Sequence, residues 1–163
     1  MAVYFDLYET FEEYRRGRAE ILNPETLYVT VSGWHSSQDK YVKFNGDVRE
    51  LAEIHTEGIY GGPARPFMYM LYEKIDTNRG RYAREIFNEN IWYDRHERGW
   101  YVEWDAICYE LQNVCIQNLM PEISAELPPI NDKSAKKKWE AGYSGDTLYA
   151  SYQLAESIYV GID

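Results

Sequence analysis

Thr26-Leu27-Tyr28-Val29-Thr30-Val31-Ser32 is the stretch whose reading decides the fold. It is rich in β-branched residues, and Leu27, Val29 and Val31 alternate onto one side, which predicts a strand with one buried face. A second apolar run, Gln153 to Ile162, suits a closing strand at the other end of the chain. Two strands so far apart in sequence are free to pair in one small sheet, and everything between them reads mostly as helix. The predicted order is α-β-β-α-α-α-α-β, an α+β chain in which a small antiparallel sheet packs against several helices, two of them long and central.

Working outward, Leu7 to Leu22 carries Leu7, Phe11, Tyr14 and Arg18 at helical spacing, and Asn23-Pro24 stops it because the residue before proline avoids the helical region. Gly33 to Asp39 reads as a polar loop carrying Trp34 and His35, and Tyr41 to Phe44 as a second, short strand. Asp47 stands at an N-cap position with Glu50 three residues on, the capping-box spacing, ahead of a helix over Val48 to Thr56 that Gly58 ends. Its stripe is Val48, Leu51, Ala52 and His55. Gly62 and Arg65 each precede a proline, so both are pushed toward extended backbone, and Pro66 suits the first position of the following helix.

That helix is expected from Phe67 to about Asp94, interrupted near Thr77 to Gly80, with Gly99 breaking the pattern. A further helix over Tyr101 to Met120 shows the clearest stripe: Trp104, Ile107, Cys108, Leu111, Val114, Cys115 and Leu119. Leu127-Pro128-Pro129 is an extended spacer, Lys133 to Trp139 a short basic helix or turn, and Asp146 to about Tyr152 a last helix. The expected organisation is one domain over residues 1–163: an N-terminal helix 7–22, a core 26–120, and a C-terminal extension 127–162 carrying the closing strand.

Composition limits the function. The 163 residues are 45% hydrophobic and 27% charged, ordinary for a folded domain, but 27 acids face 17 bases for a formal charge of -10. That balance disfavours a monomeric binder of nucleic-acid phosphates. The longest uncharged stretch, Leu111 to Pro121, is too short for a membrane span, which needs roughly 20 apolar residues, and the first residues lack a signal peptide's basic and apolar regions. Cys108 and Cys115 lie seven residues apart on one expected helix, about 10 Å along its axis, too far to pair; both read as small core hydrophobes in a reducing setting.

Candidate chemistry is sparse. Glu53-Ile54-His55-Thr56-Glu57 is the most enzyme-like cluster, but on a helix Glu53 and Glu57 share a face while His55 points about 160° away from them, so geometry argues against acid-base work on one substrate atom. His35, His55 and His96 lack the spacing of a zinc site, and no phosphate loop or nucleophile elbow occurs. No cofactor is expected. The Lys133, Lys136, Lys137, Lys138 group beside Trp139 could contact DNA phosphates, but reads rather as local balance for an acidic segment, or as a docking patch for an acidic partner surface. The 16 tyrosines and 5 tryptophans exceed what one modest core hides, and tyrosine is enriched at interfaces, which points to an assembly component.

Leu51-Ala52-Glu53-Ile54-His55-Thr56-Glu57-Gly58, followed by Pro63-Ala64-Arg65-Pro66-Phe67, resembles a signature of tailed-bacteriophage tail-completion, neck or virion-morphogenesis (minor tail) proteins: a helix ending in Ile-His-x-x-Gly, a short loop, then PARPF opening a long helix. Leu127-Pro128-Pro129, the lysine stretch, Ser144-Gly145, Leu148-Tyr149-Ala150-Ser151 and Ser157-Ile158-Tyr159-Val160 follow in the family's order, and Val29-Thr30-Val31-Ser32-Gly33 stands where the family has an early strand. The chain departs from the pattern at Thr56-Glu57, where an acid and an aromatic usually precede the glycine, and by one extra residue before Leu148. The resemblance implies a structural role without catalysis. Copies would form a ring, usually of six, that joins the head connector or neck to the tail tube or tail terminator. The genome DNA would pass through the lumen without sequence-specific binding. No membrane is involved; the location is the virion head–tail junction, and the host cytoplasm during assembly. The residues implied at interfaces are His55, Gly58, Pro63, Arg65, Pro66, Phe67, Leu148 and Ser151. Arg65 is expected to pair with a carboxylate or backbone carbonyls, Phe67 to anchor the long helix, Leu148 to join the core, and Ser151 to bond near a helix start. Acidic side chains facing the lumen would repel DNA from the wall; a lumen lined by Lys133 to Lys138 would contradict that. The competing readings are an acidic DNA mimic or inhibitor, weakened by bases interspersed through residues 15 to 98, and a small acid-base enzyme using Glu53 and His55.

Overall fold

A computed structural model describes residues 5–6, 27–36, 44–58, 63–128, 131–143, 147–148 and 153–163. The helix expected over 7–22, most of the strand expected at 41–44, the Ser144-Gly145 turn and Ser151 lie outside the described residues.

The architecture is α+β. Strand β1 (Phe5–Asp6), β2 (Leu27–Val31) and β7 (Ile158–Ile162) form an antiparallel sheet in the order β1-β2-β7. The two ends of the described chain therefore meet: Leu27 lies opposite Ile162 and Val31 opposite Ile158, and the ladder continues as Ser32 N–H donates to the Ser157 carbonyl at 2.8 Å. Leu27, Val29, Val31, Ile158 and Val160 all point into one core, as the alternation of Thr26–Ser32 predicts. Gly161 is there for space. A methyl group on it would sit 2.7 Å from the Tyr28 hydroxyl, because the Tyr28 ring lies across the strand at that point.

Around this sheet the helices run α1 (Val48–Glu57), α2 (Phe67–Thr77), α3 (Arg79–Tyr82), α4 (Trp104–Val114), α5 (Met120–Glu126), α6 (Asp132–Glu140) and α7 (Gln153–Glu156). Helix α1 is capped at both ends. The Asp47 carboxylate accepts from Arg49 N–H at 2.8 Å, and Gly58 closes the helix in the left-handed region at φ 71°. The Asp47 carboxylate also holds the Arg49 guanidinium at 2.6 Å, which keeps its carboxyl down at about 2.

Helix α4 continues through a π turn (Cys115–Leu119) straight into α5, so one rod runs from Trp104 to Glu126. The π turn has a cause. Pro121 has no N–H to give and its ring would crowd the carbonyl four residues earlier; the wider turn just ahead makes room. Ile107, Leu111, Cys115, Leu119, Met120 and Ile123 bury one side of this rod. Burial pushes the Cys115 thiol up to about 12, an inert core group, and Cys108 is half-buried. Lys74 of α2 reaches Glu126 at 2.8 Å and Glu122 at 3.4 Å, one turn apart on α5, and so clasps the two central helices together.

Several expectations are corrected. The helix expected from Phe67 to Asp94 is interrupted at Asn78, inside the Thr77–Gly80 stretch where an interruption is expected, and the Asn78 side-chain amide caps the Lys74 carbonyl. It resumes as α3, a π turn (Ala83–Phe87) and a 3₁₀ turn (Asn88–Asn90), and then stops. Residues expected at its end and at the start of the next helix instead form a hairpin, β5 (Ile91–Asp94) and β6 (Gly99–Val102). Ile-Trp-Tyr and Trp-Tyr-Val are strand formers, and Asp94 builds the turn by accepting from His96 N–H at 2.7 Å and Glu97 N–H at 3.1 Å. Trp34–His35, expected in a loop, is strand β3 and pairs with β4 (Gly46–Asp47). Leu148, expected in a helix, has φ 68°, which no right-handed helix contains, and Gln153–Glu156 is helix where strand was expected.

Candidate functional site

The loop that opens α2 is held from three directions. Arg65 N–H donates to the His55 carbonyl at 2.7 Å, closing the entry to the loop on the end of α1. Phe67 N–H donates to the Arg65 carbonyl at 2.8 Å, and Met70 N–H to the Pro66 carbonyl at 3.1 Å, so the helix begins at Phe67 as expected, with Pro66 as its N-cap where its first position was the expectation. The guanidinium of Arg65 then crosses to the far part of the chain, where its Nε donates to the Pro128 carbonyl at 3.3 Å. That carbonyl also receives the Thr147 hydroxyl at 3.5 Å, and the Thr147 carbonyl in turn receives the Ser124 hydroxyl at 2.7 Å. Arg65 has a backbone carbonyl as partner, one of the two kinds the sequence leads one to expect.

Apolar packing fixes the same place. Phe67 is 0% exposed, and Leu127 and Leu148 join the same core. Phe67 and Leu148, expected at interfaces, therefore spend their side chains in the chain's own core. Pro63 and Ala64 are exposed, Arg65 and Pro66 half-buried, and Gly58 closes α1. Ser151 lies outside the described residues.

The electrostatics here are unusual for an acidic chain. His55 is half-buried, and its pKa is pushed down to about 4, chiefly by burial and then by the nearby positive charges of Arg65, Lys138 and His35. Burial also lowers Arg65. His35 is 4% exposed, its Nδ1 3.0 Å from the Phe44 carbonyl and its ring edge-on to Phe44. Lys138 is likewise 4% exposed, whereas Trp139 beside it is 82% exposed. The lysine group thus divides: Lys133, Lys136 and Lys137 face solvent on α6, and Lys138 turns inward.

Chemically, His55 is an imidazole kept neutral first by burial and then by the Arg65, Lys138 and His35 side chains. The surroundings that lower His55 are cationic, and Glu57 of the expected acid-base cluster is exposed. Among the described residues no group of three or more His, Cys, Asp or Glu gathers as a metal would need, and no helix is long and apolar enough to cross a membrane. The convergence of His35 and Lys138 on His55 has no sequence motif. The one available hint is the helical register of α6, which sets Lys138 apart from Lys136 and Lys137 by 100° to 200° of rotation.

Comparison with known proteins gives a partial likeness. A stretch of 98 residues, 60% of this chain, is 26% identical to spore germination protein KA of Bacillus subtilis, and it spans 17% of that protein's length. No protein-family model matches the chain, and no solved structure matches it.

Proposed function

We propose that this chain is a structural virion protein of a tailed bacteriophage, a tail-completion or neck component. Copies form a ring, of six in the family it resembles, that joins the tail to the head connector and lets the genome pass. The observation that carries this reading is the convergence on Arg65: the pieces of the family pattern around His55–Gly58, Pro63–Phe67 and Leu127-Pro128 are tied to one another by the hydrogen bonds of that one residue. A pattern dispersed over some 70 residues acquires a physical reason if its purpose is to set one stiff loop at a fixed angle on the protomer. The role is structural, with no cofactor. The partners are further copies of the chain, the neck or connector proteins above, and the tail-tube or terminator proteins below. DNA in the lumen meets an acidic protein and slides past it.

Electron microscopy of the purified protein, together with mass spectrometry of native particles, tests the reading. Rings in solution and stoichiometric presence at the head–tail junction are expected; a protein that is monomeric and absent from particles refutes it. The likeness to spore germination protein KA supports a second reading, in which the chain serves spore germination, and recovery from spores instead of phage particles would favour that one.

A further inference from the structure

We propose that the groove between α4 and the outer edge of β7 docks an extended, lysine- or arginine-bearing segment of a partner protein, which adds to the three-stranded sheet as a fourth strand. This contact goes beyond the ring reading and does not depend on it.

Strand β7 ends the sheet order β1-β2-β7, so one of its edges faces away from β2. The register decides which main-chain groups lie there. Ser32 N–H donates to the carbonyl of Ser157 directly opposite. Residues of the same parity, Tyr159 and Gly161, therefore turn their N–H and C=O groups toward β2, and Val160 and Ile162 turn theirs outward. Of these outward groups, the Val160 N–H alone has a hydrogen-bond partner among the described residues, the Gln112 side-chain oxygen at 3.1 Å. That acceptor is an amide oxygen, the same group that a peptide strand brings, so replacing one with the other conserves the bond. The Val160 carbonyl and both main-chain groups of Ile162 complete the ladder with an incoming strand.

Space and charge select the occupant. Asp105, Tyr109 and Gln112 share one face of α4, and with Tyr159–Ile162 they help enclose about 330 Å³ along the edge. Asp105 is the groove's one charged side chain among the described residues. Both walls come from stretches without a base: Gly99 to Asp132 holds six acids and no Lys or Arg, and no Lys or Arg occurs from Trp139 to Asp163. Tyr109 and Tyr159 are both exposed and offer ring faces to a cation. Alternate side chains of an added strand point to opposite sides of the sheet. One set meets Asp105 and Tyr109, where a lysine or arginine is held by charge and ring together. The other set lies beside Tyr159 on the face away from the core. Edge-to-edge pairing with a second copy is disfavoured on the same ground, because its β7 brings another Asp105 and another base-free wall, like charge against like.

The test selects binders to the full chain from a bead-bound library of random eight-residue peptides, with Asp105→Lys for counter-selection. Circular dichroism confirms that the variant is folded, and Asp105→Asn stands in if it is not. Enriched sequences are expected to carry Lys or Arg at alternate positions and no proline in the paired stretch. The best-enriched peptide, labelled and measured by fluorescence anisotropy, is expected to lose roughly tenfold in affinity on Asp105→Lys and to bind more weakly as salt rises. N-methylation of the alternate N–H groups that face β7 is expected to cost roughly tenfold, and N-methylation of the other set little. Amide exchange at Ile162 is expected to slow on binding. No enrichment over the counter-selecting variant, enrichment of acidic or uncharged sequences, or equal loss from either N-methylated set overturns the proposal. Exchange at Ile162 that slows with the protein's own concentration, without peptide, also overturns it, because the occupant is then a second copy. None of these outcomes bears on the ring, which electron microscopy decides separately.

Discussion

The Arg65 loop and the β5–β6 hairpin are both short, proline- or aromatic-rich connections between helices, yet they are held in opposite ways. The loop is tied to α1 through His55, to the C-terminal part of the chain through Pro128, and to the core through Phe67. The hairpin is tied to the body mainly at its base, where Ile91 is buried and Glu103 N–H donates to the Asn90 carbonyl at 2.9 Å, and the rest of it is held by its own turn and cross-strand pairs. A region anchored from three directions transmits any damage to the whole fold. A region anchored at one end can be altered with little global cost.

The largest expected difference lies in the core. Phe67→Ala empties a fully buried site and is expected to cost about 3–5 kcal/mol in denaturant unfolding, enough to unfold many domains of this size. A loss below about 1 kcal/mol would mean that the loop is not anchored where the structure places it.

The next effect is a pH dependence specific to the loop region. Folded His55 keeps its proton off until about pH 4, whereas the unfolded chain takes one up near 6.5. Between those values the unfolded state binds more protons, so stability is full above pH 6.5 and falls as the pH drops toward 4, by about 3 kcal/mol at most. Arg65, Lys138 and His35 are the positive groups that oppose the protonated form. His55→Gln is expected to flatten that part of the stability profile, and NMR titration of the His55 ring measures the pKa directly. A ring that titrates near 6.5 in the folded protein breaks the contrast.

Smaller again is Arg65→Ala. It removes the charged donor to the Pro128 carbonyl, and a loss of about 1–2 kcal/mol is expected, with faster amide exchange around residues 127–128 and 147–148. Unchanged exchange in those segments would show that the loop and the C-terminal part are not coupled through this side chain.

How far the sequence revealed this contrast follows from the kind of signal each region carries. Strand β2 was legible because alternation needs no tertiary help, and α1 because Asp47 and Gly58 mark its ends chemically. The rod through α4 was legible from its stripe, though its ends moved: the periodic positions say nothing about Trp100-Tyr101-Val102, which go to the hairpin, nor about the residues past Pro121, where the π turn lets the helix go on to Glu126. The hairpin was hidden because Phe87 and Ile91 continue a helical spacing by accident. The signal that identifies it is two aromatic triplets flanking a polar loop with Asp at its start and Gly at its end. Within the site, guanidinium chemistry offered Arg65 a carboxylate or a backbone carbonyl, and packing chose the carbonyl. The burial of Lys138 was not legible, because four nearby lysines look alike until packing chooses one, and neither was the approach of His35 to His55, which depends on the pairing of β3 with β4.

The smallest expected effect is the most discriminating. Asp94 organises the hairpin turn by accepting two backbone N–H groups, and Arg98 beside it sits at φ 50°, a conformation the turn imposes on a residue with a side chain. Asp94→Ala leaves both N–H groups to water, at a cost below about 1 kcal/mol because the tip is exposed. If the hairpin is an independently held element, that cost stays local: amide protection over 91–102 falls several-fold while Tm and the protection of Ile107, Leu111 and Val29 are unchanged. If the hairpin is instead a strut of the fold, protection falls everywhere together. The first outcome leaves a folded protein with a loosened hairpin; the second would make the hairpin and the Arg65 loop parts of one cooperative unit.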